Sequence, residues 1–175
     1  MSLLVTRHDG IRPDFLFEMM EKQRLLPEWV SINPSSIVDL ANRCKVNTIS
    51  EDEIIYAMMI EFIVMPGVKD LLVFVLDKGI MRRKDEIAEL QDKLRANWFE
   101  EGMRRVQVSV PLSRKNTKRI LLYMGFVQET RDCGLRNLMK YGPKQESCII
   151  MGLLPSDPLR KVEVIEEPEL THADD

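Results

Sequence analysis

Histidine is almost missing from this chain. Of 175 residues only His8 and His172 carry an imidazole, and both lie near the ends. That scarcity removes the commonest general base and metal ligand, and with it histidine-based hydrolysis and His-rich metal centres. Cysteine is equally sparse. Cys44, Cys133 and Cys148 are scattered, odd in number and without metal-ligand spacing, which predicts reduced thiols in a cytoplasmic setting. No apolar run approaches the roughly 20 residues that cross a bilayer. The opening MSLLVTRHDG has neither the basic start nor the apolar core of a signal peptide. A net charge of −3, with basic residues interleaved among acids and no aromatic-rich basic motif, predicts no nucleic-acid or membrane partner.

What is present is ordinary core-forming material, 45% apolar, enough for one domain. We expect that domain over residues 1–155. An acidic tail follows over 156–175, carrying Glu163, Glu166, Glu167, Glu169, Asp174 and Asp175, and is predicted to be mobile. Eleven methionines, several within Met58–Met65, read as adaptable core filling.

Leu3–Arg7 reads as a first strand. Pro13 opens a helix that runs to about Leu26, and Pro27 ends it. Asn33-Pro34-Ser35-Ser36 is a turn and cap before a second helix with Ile37, Val38, Leu40 and Ala41 apolar. Val46–Ile49 is assigned as a strand. Ile54–Met65 and Asp70–Leu76 are apolar, β-branched runs around Pro66-Gly67, the pattern of a central antiparallel hairpin. Asp85–Glu101 repeats Ile87, Leu90, Leu94 and Trp98 at helical steps, and Gly102 is its expected stop. A strand over Val106–Val110, a short helix around Lys118–Met124, a strand Phe126–Arg131 and a strand Cys148–Leu154 complete the order.

The segment VQVSVPLSRKNTKRILLYMGF, Val106–Phe126, is the most informative: a strand, a polar loop with Asn116, a short helix, then Met-Gly-Phe. It resembles the C-terminal half of the GNAT superfamily of acyl-CoA-dependent N-acyltransferases, where the helix ends in Leu-Gly-Phe. The order of elements from Leu3 to Leu154 resembles that family too. The resemblance implies an α+β fold, a central mixed but mostly antiparallel sheet flanked by helices. It also implies acetyl-CoA or another acyl-CoA as acyl donor, and a primary amine as acceptor. The donor would sit where two strands splay, with Val75 and Leu76 alongside it.

In that family a glycine-rich loop after the splayed strand cradles the pyrophosphate of coenzyme A through backbone N–H groups. The corresponding residues here are Asp77-Lys78-Gly79-Ile80-Met81-Arg82-Arg83-Lys84, with a single glycine. Lys78, Arg82, Arg83 and Lys84 could grip phosphate by charge instead, or form a solvated basic loop. The tyrosine that protonates the leaving thiolate in many members falls at Leu121. Tyr123 lies on another face of the helix and is the alternative acid. Glu61, a carboxylate inside an apolar strand, is the candidate general base, or else pairs with a neighbouring cation. Asn116 either lies beside the pantetheine arm or caps its helix. A second reading is a catalytically degenerate GNAT-fold module that binds a protein partner or itself. It is similar to small GNAT-like proteins of tailed bacteriophages, some of them virion components.

Overall fold

The computed structural model describes residues 2–22, 35–131, 135–141 and 144–159. Within them the chain forms eight strands, β1 (Leu4–Asp9), β2 (Lys45–Glu51), β3 (Ile54–Met65), β4 (Val68–Val75), β5 (Arg105–Pro111), β6 (Val127–Gln128), β7 (Leu135–Tyr141) and β8 (Lys144–Leu153). The helices are α1 (Pro13–Lys22), α2 (Ser35–Arg43), α3 (Lys84–Glu89), α4 (Gln91–Phe99) and α5 (Lys115–Tyr123). Short 3-10 turns cover Lys78–Arg82 and Glu100–Gly102.

The strands make one sheet in the order β1-β2-β3-β4-β5-β8-β6, with β7 also paired to β8. Every pairing is antiparallel except β4 with β5. That parallel ladder spans just Val68–Asp70 against Arg105–Gln107. The expected hairpin turns at Pro66-Gly67, where Gly67 takes φ +78° as a tight reversal requires.

Strand alternation sorts the side chains into two cores. Ala57, Met59, Leu71, Val73, Val106, Val108, Met151 and Leu153 face α3, α4 and α5 through Ile87, Leu94, Trp98, Ile120 and Leu121. The opposite face buries Val46, Met58, Ile60 and Phe74 under Leu16, Met19, Met20 and Ala41 of α1 and α2.

Several expectations change. The long helix over 85–101 is two pieces separated at Leu90, whose N–H is shared between the carbonyls of Glu86 and Ile87, followed by a 3-10 turn. The strand expected over 126–131 shrinks to Val127–Gln128, which pairs with the outer edge of β8 at Met151 and Gly152. Strand β7 was not anticipated, and β8 begins four residues before Cys148. The helix expected to reach Leu26 is described over Pro13–Lys22. Residues 23–26, Pro27, Asn33, Cys133 and the acidic tail beyond 159 lie outside the described residues. Cys44 and Cys148 are buried thiols that burial pushes above the ordinary thiol range. No described helix is long and apolar enough to cross a membrane.

The Met-Gly-Phe motif has a packing explanation. Gly125 ends α5 with φ +86°, and a Cβ there would stand 2.9 Å from the buried Gln91 side chain. Phe126 then turns into the core and meets Trp98 edge-on, with ring centroids 5.5 Å apart.

Candidate functional site

Beyond Asp70 and Gln107, β4 and β5 have no common ladder and become the walls of a cleft of about 410 Å³, within the roughly 300–1,000 Å³ of small-molecule sites. One wall is Leu71, Leu72, Val73, Val75 and Leu76. The other is Val108, Ser109, Val110 and Pro111, continuing into Ser113 and the first turn of α5. Because the strands are parallel, both C-terminal ends open at one mouth. That mouth carries Lys78 after β4, and Arg114 and Lys115 after β5. No carboxylate is among the residues lining the cleft, so its charge is wholly positive.

The fold brings Val75, Leu76, Lys78 and Asn116 together in this cleft. Asn116 is the second residue of α5. The residue at the N-cap position is Arg114, which makes no side-chain cap bond.

The loop after β4 is more self-contained than a phosphate cradle. Asp77 Oδ1 accepts the Gly79 N–H at 2.6 Å, and the Leu76 and Asp77 amides both donate to the Tyr56 carbonyl. A Cβ at Gly79 would come 3.0 Å from that carboxylate and 3.3 Å from the Tyr56 ring. Arg82 and Lys84 are exposed beside it.

Arg83 is engaged elsewhere. Its guanidinium donates to Glu51 at 2.6 and 2.9 Å and to Glu86 at 2.7 and 2.5 Å, and lies over the Tyr56 ring. These bonds hold both carboxyls below their ordinary range. Glu86 also accepts the Leu3 amide, so the clasp ties β1, the β2 end and α3.

Glu61 is 2% exposed and on the α4 side of the sheet. Lys69 Nζ donates to it at 2.9 Å, Arg7 at 3.3 Å, and Asn47 Nδ2 donates to its other oxygen. Asn97 of α4 donates to Asn47 Oδ1 at 2.9 Å, while its carbonyl accepts from Lys69 at 3.3 Å. Arg7 and Lys45 also pair with Glu100, which they hold below the usual carboxylate range, Lys45 most strongly. Of the two alternatives for Glu61, the cation pair is the one formed. Neither Glu61 nor Tyr123 lines the cleft; the Tyr123 ring packs against the core beneath α5.

One group escaped the sequence reading. Asp70, the last β4 residue paired to β5, accepts the Leu71 N–H at 3.1 Å, and burial pushes its carboxyl up to about 6. The available signal was the one that singled out Glu61: a lone carboxylate in an apolar strand, here at the head of DLLVFV.

No family model and no curated protein matches the sequence. Solved structures do match. Spermidine N-acetyltransferase from Vibrio cholerae, in complex with CoA and spermine, superposes with a TM-score of 0.56 at 12% identity, covering 87% of this chain and 96% of that one. A Bacillus subtilis acetyltransferase in complex with CoA gives 0.55 at 11%, covering 87% and 99%. YncA of Salmonella typhimurium, with its cofactor acetyl-CoA, gives 0.57 at 11%, covering 88% and 94%. The fold is therefore that of the GNAT superfamily, as the Val106–Phe126 segment implied.

Proposed function

We propose that this GNAT-fold chain is an N-acyltransferase that moves an acyl group from an acyl-CoA, acetyl-CoA in the simplest case, to a primary amine. The observation that carries the reading is the parallel β4–β5 ladder that stops after Asp70 and opens a cleft lined by three cations and no anion. An extended, amide-bearing arm fits between strand edges that have lost each other as partners, since backbone N–H and C=O groups there need new ones. The phosphates of the same molecule fit the mouth at Lys78, Arg114 and Lys115, with Arg82 and Lys84 close by in sequence. Asn116 stands on the β5 wall beside the arm. Coenzyme A would bring an activated thioester; the chain would orient it and place β4 amides against the developing oxyanion.

In this reading the phosphates are held by side-chain charge. The Gly79 amide is already satisfied by Asp77, and Arg83 is part of the clasp. Glu61 and Tyr123 hold strands and helix together; their contacts favour that role over proton transfer.

A thermal-shift titration tests the proposal, with acetyl-CoA as ligand and desulfo-CoA and ADP as controls. A saturable rise of several degrees is expected, because a ligand that binds only the folded state stabilises it by mass action. Thiol release with a panel of primary amines then identifies the acceptor.

A second reading, a non-catalytic module whose partner is another protein or a second copy, is favoured by one group of observations: the Gly79 amide is capped, Arg83 is locked, and Tyr123 stands outside the cleft. Absence of any shift at millimolar ligand selects it.

A further inference from the structure

We propose that the acidic segment 160–175 docks in the β4–β5 cleft of its own chain and competes there with acyl-CoA. The docking stands on the cleft itself; the competition rests on the acyltransfer reading above. The charge of the chain is divided in a way that favours this. Residues 1–159 carry a net charge of +1 and residues 160–175 a net charge of −4, so the total of −3 combines two parts of opposite sign. Within the positive part, Arg7, Lys45, Lys69, Arg83 and Arg105 each hold a carboxylate. Lys78 and Lys115 are different. Both are exposed at the cleft mouth, neither makes an ion pair among the described residues, and no carboxylate lines the cleft beside them.

The order of residues in the segment matches the order of surfaces in the cleft. Lys161–Val164 alternates charged and apolar residues, Ile165 extends the apolar part, and Glu166, Glu167 and Glu169 follow. Beyond Asp70 and Gln107 the β4 and β5 edges no longer pair with each other, and an added peptide strand would supply the missing backbone partners. Val162, Val164 and Ile165 suit the apolar walls Leu71–Val75 and Val108–Pro111. The three glutamates suit the cations of the mouth. The segment thus offers the same two features as acyl-CoA, an amide-bearing arm followed by clustered negative charge.

Reach favours the segment of the same chain. Past β8 the backbone is pinned to α4: Arg95, 9% exposed, donates through Nη2 to the carbonyls of Leu154 and Asp157 at 3.0 and 2.5 Å, and the Leu154 amide donates to Asp157 Oδ2 at 2.7 Å. The described residues end at Leu159, close to that anchor. Leu153 pairs with Val106, and Cys148 pairs with Pro111 at the mouth, so five residues of strand separate the two levels. That is about 17 Å at roughly 3.3 Å per residue. Extended chain from Leu159 covers about 23 Å by Glu166 and about 33 Å by Glu169. The mouth lies within that range, and a tether of this length holds its end at an effective concentration on the order of millimolar.

Two measurements on full-length chains test this. The first compares the native chain with one in which Glu163, Glu166, Glu167 and Glu169 become Gln and Asp174 and Asp175 become Asn. At low salt the neutralised chain is expected to bind acetyl-CoA about tenfold more tightly, the gain when a tethered competitor fills about nine clefts in ten. High salt should erase the gain. The second adds a labelled synthetic peptide of residues 160–175 to the neutralised chain and follows fluorescence anisotropy. The peptide is expected to bind, to be displaced by acetyl-CoA, and to bind at least about fivefold more weakly when Lys78→Ala and Lys115→Ala are added. Equal affinity in two chains that both bind acetyl-CoA overturns the proposal and leaves the acyltransfer reading standing. A gain that varies with protein concentration assigns the occupant to a second copy and overturns docking within one chain. If neither chain responds to acetyl-CoA, the acyltransfer reading falls and the peptide alone decides the docking: binding that depends on Lys78 and Lys115 sustains it, and its absence overturns it.

Discussion

Glu61 and Asp70 sit one rung apart in the β3–β4 ladder, Glu61 opposite Leu71 and Phe62 opposite Asp70. Each is a lone acid in a hydrophobic strand, yet the two occupy opposite kinds of ground. On the α4 face, Glu61 is enclosed by Lys69, Arg7 and Asn47, and each of its oxygens has a donor. On the other face, Asp70 has one backbone amide and no cation. The difference teaches that a buried carboxylate is not in itself a functional signal. What sets the cost of such a group to the fold is whether a counter-charge is supplied.

The sharpest way to break the comparison is to strip Glu61 of its partner. Lys69→Met leaves a buried carboxylate short of its closest cation and should cost about 3–5 kcal/mol in urea denaturation. The double variant Glu61→Leu, Lys69→Met should cost less than Lys69→Met alone, because no lone charge is left behind. The converse change at Asp70 should help. In the native state this carboxyl holds its proton up to about pH 6, against 3.8 for its ordinary value, so its ionisation opposes folding. Stability is therefore expected to fall as pH rises from 4 to 6. Asp70→Asn should gain up to about 3 kcal/mol at pH 8 and almost nothing at pH 4.

Gly152→Ala comes next, at about 1 kcal/mol or less, since the added methyl would displace only the flexible ends of the partly exposed Glu129–Arg105 bridge. The smallest effect is expected in binding. Lys78→Ala should lower acetyl-CoA affinity several-fold, seen as a reduced thermal shift and a weaker salt dependence. Arg83→Ala should instead lower the melting temperature of the free protein and leave the ligand-induced rise in place, because its bonds go to Glu51 and Glu86.

The architecture was readable because it rests on local patterns. The β3–β4 hairpin follows from two apolar runs around Pro66-Gly67. The Met-Gly-Phe segment marks a helix end that needs a left-handed residue and a core that needs an aromatic, which is why it carries fold information and says little about chemistry. Leu90 escaped, since a break inside a periodic helix leaves no mark in its spacing. Strand β7 escaped as well, because LRNLMKY mixes apolar and basic residues without clear alternation. At the site, Val75, Leu76, Lys78 and Asn116 came from the family resemblance, and the structure places all four in one cleft. The fate of Arg83 was not legible. Its partners Glu51 and Glu86 are 32 and 3 positions away, and nothing in a run of four basic residues distinguishes the one that will be stapled down.

The brevity of the β4–β5 ladder has a mechanical consequence. Strands β1–β4 and β5–β8 are two ribbons sewn together by a seam three residues long, with α3, α4 and α5 backing one face. A molecule lodged along Leu71–Val75 and Val108–Pro111 would lengthen that seam, and amide protons of both walls should then exchange with deuterium far more slowly. The same seam sets where the protein should come apart first under load: at Asp70, the point from which the two ribbons already diverge.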